Sequence, residues 1–323
     1  MQLPIPLREA IEKITDSLPL KELLKASESL SSLYREGKQG SSLFMTTKVE
    51  KIAYLAARMP ATYAAIFSVM RELQARVPSF LPKSFLDLGS GPGTGLWAAM
   101  DLFPQIEKYF LLEKDPAFIS IGKELFFSAS ETSPHLEWIE QDFQNSTISF
   151  PGADMVLFSY ALGEGKESLY EKILEKAWRA TNEVLLVIEP GTPVGYKKIM
   201  KIREVLYRLG GHLLAPCPHS KQCPLYETKD WCHFSARIER SSLHRKIKLG
   251  SLNYEDEKFS YVIFHKRNIE SNFSKRILRR PIHNSGHVNL TLCTKEGIEK
   301  KTVSKKEGEL FKKIKKLDCG DAI

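Results

Sequence analysis

The chain has 323 residues, enough for one large domain or two ordinary ones whose core needs no disulfide staples. With 42 % hydrophobic and 27 % charged residues it is not, as a whole, disordered, collagen-like or a coiled coil, and no apolar run reaches the roughly 18–20 residues that span a bilayer. The net charge of +8 is unevenly placed: residues 236–323 hold 21 Lys and Arg against 11 Asp and Glu, and the first 235 hold 26 against 28. That surplus in the last quarter points to a polyanion partner, most often RNA or DNA.

Residues 5–77 read as helices. Leu7, Ala10, Ile11, Ile14 and Leu18 recur at helical spacing, as do Leu20, Leu23, Leu24 and Leu30. The Ser/Gly-rich stretch 27–42 reads as a loop. A helical pair follows, broken near Pro60, and Pro78 and Pro82 mark a linker. The pattern then changes to short apolar strands alternating with helices: SFLDLG (84–89), KYFLLEK (108–114), LEWIEQD (136–142), ADMVLFSYAL (153–162) and EVLLVIEPG (183–191). Such strands predict an open, doubly wound parallel sheet with helices on both faces. The expected organisation is a helical region over 1–79, an α/β domain over 80–210, and a Cys-rich, basic region over 211–323. Within the last, a basic helix-like stretch follows residue 236, then a strand at FSYVIFHK (259–266) and a basic β-like end.

The strongest local signal is DLGSGPGTG (87–95), set between a strand and a helix. Its glycines let the backbone turn sharply and approach a ligand, and the helix beyond presents free N–H groups. Three acidic positions favour S-adenosylmethionine over NAD. Asp87 lies just before the glycines, where it can hold the ligand's ammonium. Glu113 ends the next strand, placed to accept ribose hydroxyls. Gln141 and Asp142 end the third, placed near the adenine amine. Gly89, Ser90, Gly91, Gly93 and Ser159 complete the expected cofactor set. No Asn/Asp-Pro-Pro-aromatic signature follows the fourth strand, and no cysteine precedes residue 217 to attack a pyrimidine. Tyr160 and Glu164 are the weak catalytic candidates.

Cys217, Cys223 and Cys232 are spaced C-x5-C-x8-C, and Cys293 comes later. Prolines 216, 218 and 224 stiffen the loop. Five cysteines is an odd number, which implies a reducing compartment and makes metal ligation the better question. Zinc and a four-iron–four-sulfur cluster both suit four thiolates, and Cys319 is the odd one out. The amino terminus carries Glu9, Glu12 and Asp16 and lacks a basic start with an apolar block. A cytoplasmic protein is expected.

YLAARMPATYAA (54–65), LDLGSGPGTG (86–95), APCPHSKQCPL (215–225), WCHFSARIERSSLHRKIK (231–248), YEDEKFSYV (254–262) and GHVNLTLCTKEG (286–297) carry a resemblance. In these stretches the chain resembles the methyltransferase-like proteins of the small ribosomal subunit, the family of mitochondrial methyltransferase-like protein seventeen and its fungal and bacterial relatives. The Cys-loop and EDEKFSYV stretches are the specific ones. The resemblance implies a class I methyltransferase (Rossmann-like) fold and a 4Fe-4S cluster on Cys217, Cys223, Cys232 and Cys293. It also implies association with small-subunit ribosomal RNA during ribosome assembly, either as an rRNA methyltransferase or as a non-catalytic factor. Arg237, Arg240, Arg245, Lys246 and Lys248 would then share one side of a basic RNA-binding helix, joined by Arg279 and Arg280.

Overall fold

The computed structural model describes residues 1–323 except 36–44, 131–133, 165–166, 249–250 and 271, and the side chains of 31–35, 164 and 167. Four helices open the chain: α1 (Ile5–Asp16), α2 (Leu20–Arg35), α3 (Lys48–Ala57) and α4 (Met59–Arg76). The loop expected from residue 27 starts later, because Leu23, Ala26 and Leu30 continue a buried stripe along α2. The rest of that expected loop, residues 36–42, lies outside the described residues. Thr47 and Glu50 form a reciprocal capping box that starts α3. Pro60 sits in the first turn of α4, where its missing N–H is not needed.

The main sheet follows. Strands β1 (Ser84–Leu88), β2 (Lys108–Glu113), β3 (His135–Glu140), β4 (Ala153–Ser159) and β5 (Thr181–Pro190) are parallel, in the order β3-β2-β1-β4-β5. Helices α5 (Thr94–Leu102), α6 (Pro116–Ala129), α7 (Tyr170–Ala180) and α8 (Pro193–Arg208) connect or follow them. The sheet runs past residue 210. The 12-residue strand β8 (Tyr254–His265) lies antiparallel to β5. Its outer edge carries β7 (Phe234–Glu239) along residues 254–259 and β6 (His212–Ala215) along residues 263–265. The architecture is thus a class I methyltransferase-like, mixed α/β sheet with helices on both faces.

Alternate residues of each strand feed two cores. Phe85, Leu111, Met155, Leu157, Leu186 and Ile188 pack with α1–α6, so the amino-terminal helices share a core with the sheet. Leu86, Leu112, Val156, Phe158, Leu185 and Val187 pack with α7 and α8 on the other face. The period-2 alternation of a strand is the reason one run can be buried on both sides.

The basic helix expected after residue 236 is corrected. Residues 234–239 form strand β7, and the helix α9 is short, Ser242–Ile247. Phe234, Ala236 and Ile238 are buried while their neighbours are exposed, so the period there is 2. A small antiparallel sheet closes the chain, with β9 (Lys275–Ile277), β10 (Ile282–Asn284), β11 (His287–Thr294) and β12 (Gly297–Ser304). Its own core of Val288, Leu290, Leu292 and Val303 is covered by Ile314 of α10 (Glu309–Ile314).

Candidate functional site

The glycine loop leaves β1 and enters α5, and the cleft beside it lies at the carboxyl ends of β1, β2 and β4. Gly89, Gly91 and Gly93 all have positive φ, between 55° and 85°. A Cβ on Gly91 would meet nothing within 4 Å, so this backbone faces open space. A Cβ on Gly95 would lie 2.3 Å from Asp87 Oδ2, so the helix start can approach that carboxyl only as glycine.

Asp87 is 2 % exposed. Burial, and then the nearby Glu113 carboxylate, push its carboxyl up to about 8. Glu113 is a buckle between β2 and the loop. Its Oε2 accepts the N–H of Gly91 at 2.9 Å, and its Oε1 accepts those of Lys114 and Asp115, each at 2.9 Å. Burial nonetheless raises its carboxyl, outweighing these bonds. Asp142 Oδ1 accepts the N–H of Gln144 at 2.9 Å, and its Oδ2 lies 4.0 Å from Lys114 Nζ. Ser159 ends β4. The hydroxyls of Ser90, Thr94 and Ser159 are buried in this cleft with no hydrogen-bond partner among the described residues. Buried polar atoms are rarely left so. Orphaned hydroxyls, a carboxyl and open glycine backbone fit a polar, cationic ligand. The cleft has about 830 Å³ of empty space, its open mouth included.

Met45, Tyr54, Thr62 and Ile66 also line the cleft, and sequence reasoning missed them. They come from the amino-terminal helical region, which therefore forms one wall. Lys51 of α3 ties that wall to Asp115, the N-cap of α6 just past β2, at 2.8 Å. The available signal was α4 itself, which is apolar around most of its circumference and so had to be buried on several sides.

Tyr160 adopts a left-handed φ of 57°. Its hydroxyl donates to Glu257 Oε1 at 3.2 Å, and Arg58 reaches the same oxygen at 3.3 Å. Burial, followed by Glu257, pushes the Tyr160 phenol well above its ordinary value, so it stays protonated. Glu164 ends a short 3-10 turn, Leu162–Glu164, and its side chain lies outside the described residues.

Cys217, Cys223, Cys232 and Cys293 line a single, mostly apolar pocket with about 460 Å³ of empty space. The fold brings the first three together because β6 and β7 share the edge of β8, with the Cys loop as the excursion between them, and Cys293 joins them from β11 of the small sheet. Burial pushes Cys217 up to about 11 and Cys293 up to about 12, with neighbouring thiols adding to each. Among the described residues, no three His, Cys, Asp or Glu side chains gather as a metal-binding group. The four thiols share the pocket lining without closing on one point, and His219 Nε2 lies 3.5 Å from Cys293 Sγ. Cys319 stands apart, its thiol donating to the Leu278 carbonyl at 3.3 Å.

The seven basic candidates divide. Arg237 makes two 2.7 Å bonds to Asp256 and stacks on Tyr254. Arg240 and Lys248 both bind Glu255, and Arg279 binds Asp230. Arg245, Lys246 and Arg280 are exposed.

Residues 48–323 match the family described as mitochondrial small ribosomal subunit Rsm22. The mitochondrial ribosome assembly protein METTL17 of Homo sapiens is 27 % identical over 267 residues, covering 76 % of this chain and 56 % of that protein. The mitochondrial ribosome assembly protein RSM22 of Saccharomyces cerevisiae is 22 % identical over 438 residues, covering 90 % of this chain and 70 % of that one. The chain thus spans about half the length of the human relative. Among solved structures, an O-methyltransferase family protein from Burkholderia thailandensis is 12 % identical with a TM-score of 0.45, covering 78 % of this chain and 73 % of that one. The expected cytoplasmic location is overturned, because the matched family and both relatives are described as mitochondrial. The composition of the first residues carries no address in a chain that spans only part of its relatives. The chain belongs to the Rsm22 family of the mitochondrial small ribosomal subunit.

Proposed function

We propose that this chain binds S-adenosylmethionine and acts on small-subunit ribosomal RNA during assembly of the small ribosomal subunit. The observation that carries the reading is the extent of the family match, which takes in the glycine-loop cleft, the thiol pocket and the basic end as one unit. The unpartnered hydroxyls of Ser90, Thr94 and Ser159 support the cofactor. Asp87 holds the ammonium, Gly89, Gly91 and Gly93 bring backbone close, and Asp142 faces the adenine amine. Glu113 offers the ribose its remaining lone pairs while loop N–H groups fix its orientation. When bound, the cofactor supplies an electrophilic methyl group. The chain's own contribution is positioning, since among the described residues the cleft carboxylates are placed for the cofactor and Tyr160 is held by Glu257.

A second reading, assembly without methyl transfer, is favoured by Tyr160. Its hydroxyl, at the cleft lining, is engaged by Glu257 beside Arg58. In either reading the four cysteines hold a four-iron–four-sulfur cluster, with zinc as the alternative. One zinc ion needs all its sulfurs about 2.3 Å from a single point, whereas a cubane accepts thiols spread around a larger pocket.

The test incubates the chain with radiolabelled S-adenosylmethionine and purified small subunits. Binding with label in rRNA supports transfer. Binding without label supports the second reading. No binding ends the cofactor reading.

A further inference from the structure

Tyr196 lies on the first turns of α8 and is 3 % exposed. Its hydroxyl donates to Cys223 Sγ at 3.2 Å, inside the thiol pocket. The pocket around it is mostly apolar, with Ser260 and Arg276 also in its lining. Arg203 donates to the carbonyls of Lys221 and His219 at 2.6 and 3.4 Å, pinning the Cys loop. Arg276 donates to the carbonyl of Pro216 at 2.8 Å. These two guanidinium groups hold backbone. Among the described residues, Tyr196 is the side chain whose hydroxyl reaches a candidate ligand sulfur.

We infer that Tyr196 is a positioning residue of the thiol site, whose hydroxyl orients the Cys223 sulfur and raises the reduction potential of the iron–sulfur group held there. The inference rests on the cluster reading above. A hydrogen bond to a ligand sulfur withdraws electron density from it. It therefore stabilises the reduced, more negative state, and in a mostly apolar pocket the effect is less screened than at the surface. The bond also distinguishes among the thiols, since among the described residues it is Cys223 that receives a tyrosine hydroxyl.

The experiment is anaerobic purification of the full chain, with iron and sulfide analysis, followed by potentiometric titration read by electron paramagnetic resonance. Wild type is compared with Tyr196→Phe, which keeps the ring and removes only the hydroxyl. The expected result is unchanged iron content and a potential shifted to more negative values. An unshifted potential at full iron content overturns the inference and leaves the cluster reading intact. Wild type without iron and sulfide overturns both. Should Tyr196→Phe fail to load, the Fe–S stretching bands of wild type in resonance Raman spectra carry the test. Their shift on transfer to D2O supports the bond, and unmoved bands overturn it.

Discussion

Arg276 is buried against Glu72, its Nη2 donating to Oε1 at 2.5 Å, with only 1 % of the arginine exposed. The same guanidinium holds the carbonyls of Pro216 and Gly320. One residue of β9 thus joins helix α4, the head of the Cys loop and the end of the chain. Breaking a buried pair leaves an uncompensated charge, at about 3–5 kcal/mol. Because Arg76 also contacts Glu72, at 3.1 Å, Arg276→Met is expected at the lower end of that range. Urea unfolding measures it, and a loss under about 1 kcal/mol would contradict the role.

Asp87 predicts a pH dependence. Its carboxyl is pushed up to about 8 in the folded chain, against an ordinary 3.8. The folded state keeps a proton that the unfolded chain releases. Stability from this group is therefore complete below about pH 4 and is lost as pH rises toward 8, with a slope of at most about 1.4 kcal/mol per unit. Asp87→Asn should flatten that slope and be the more stable form at pH 7.5. If the carboxylate holds an ammonium, affinity for S-adenosylmethionine should rise from pH 6 to 8 in wild type and stay level in the variant, as read by calorimetry.

Two glycines separate fold from binding. Gly95→Ala would put its Cβ 2.3 Å from Asp87 Oδ2 and 2.8 Å from Leu157 Cδ2. Overpacking there should destabilise by about 1–3 kcal/mol. Gly91→Ala meets no atom within 4 Å but must hold a φ of 55°. It should cost about 1–2 kcal/mol and lower cofactor affinity, because its methyl enters the cleft. Equal affinity of Gly91→Ala and wild type would place the ligand elsewhere.

If the chain binds RNA as proposed, the exposed cations and the ion-paired ones should contribute differently. Replacing Arg245, Lys246 and Arg280 together by Ala should leave the melting temperature near wild type and lower the slope of log affinity against log salt by about 0.7–0.9 per lost phosphate contact. Arg237→Ala removes a bidentate pair with Asp256 and should act on local packing of β7, with little change in that slope. The reverse pattern in a salt titration would move the RNA surface to β7.

Much of the sheet was legible because its code is short-range. Buried-type runs such as 153–162 and 183–191 say strand on their own, and the loop 87–95 says turn through its glycines, three of which have positive φ. The misreading of 237–248 as a helix has the same origin. Charges at i, i+3 and i+4 looked helical, while the buried alternation of Phe234, Ala236 and Ile238 specified a strand.

Local pattern was enough to specify the strands, the glycine loop and the stretches that resemble a known family. Partnership was not in that pattern. Arg237 meets Asp256 because β7 pairs with β8 in the register Arg237–Asp256, and only tertiary pairing sets that register. The cleft wall comes from Tyr54, Thr62 and Ile66, and the thiol pocket gathers Cys293 from a separate sheet. Such meetings join residues tens to hundreds of positions apart. Burial of the shared core, rather than any nearby sequence signal, brings them together.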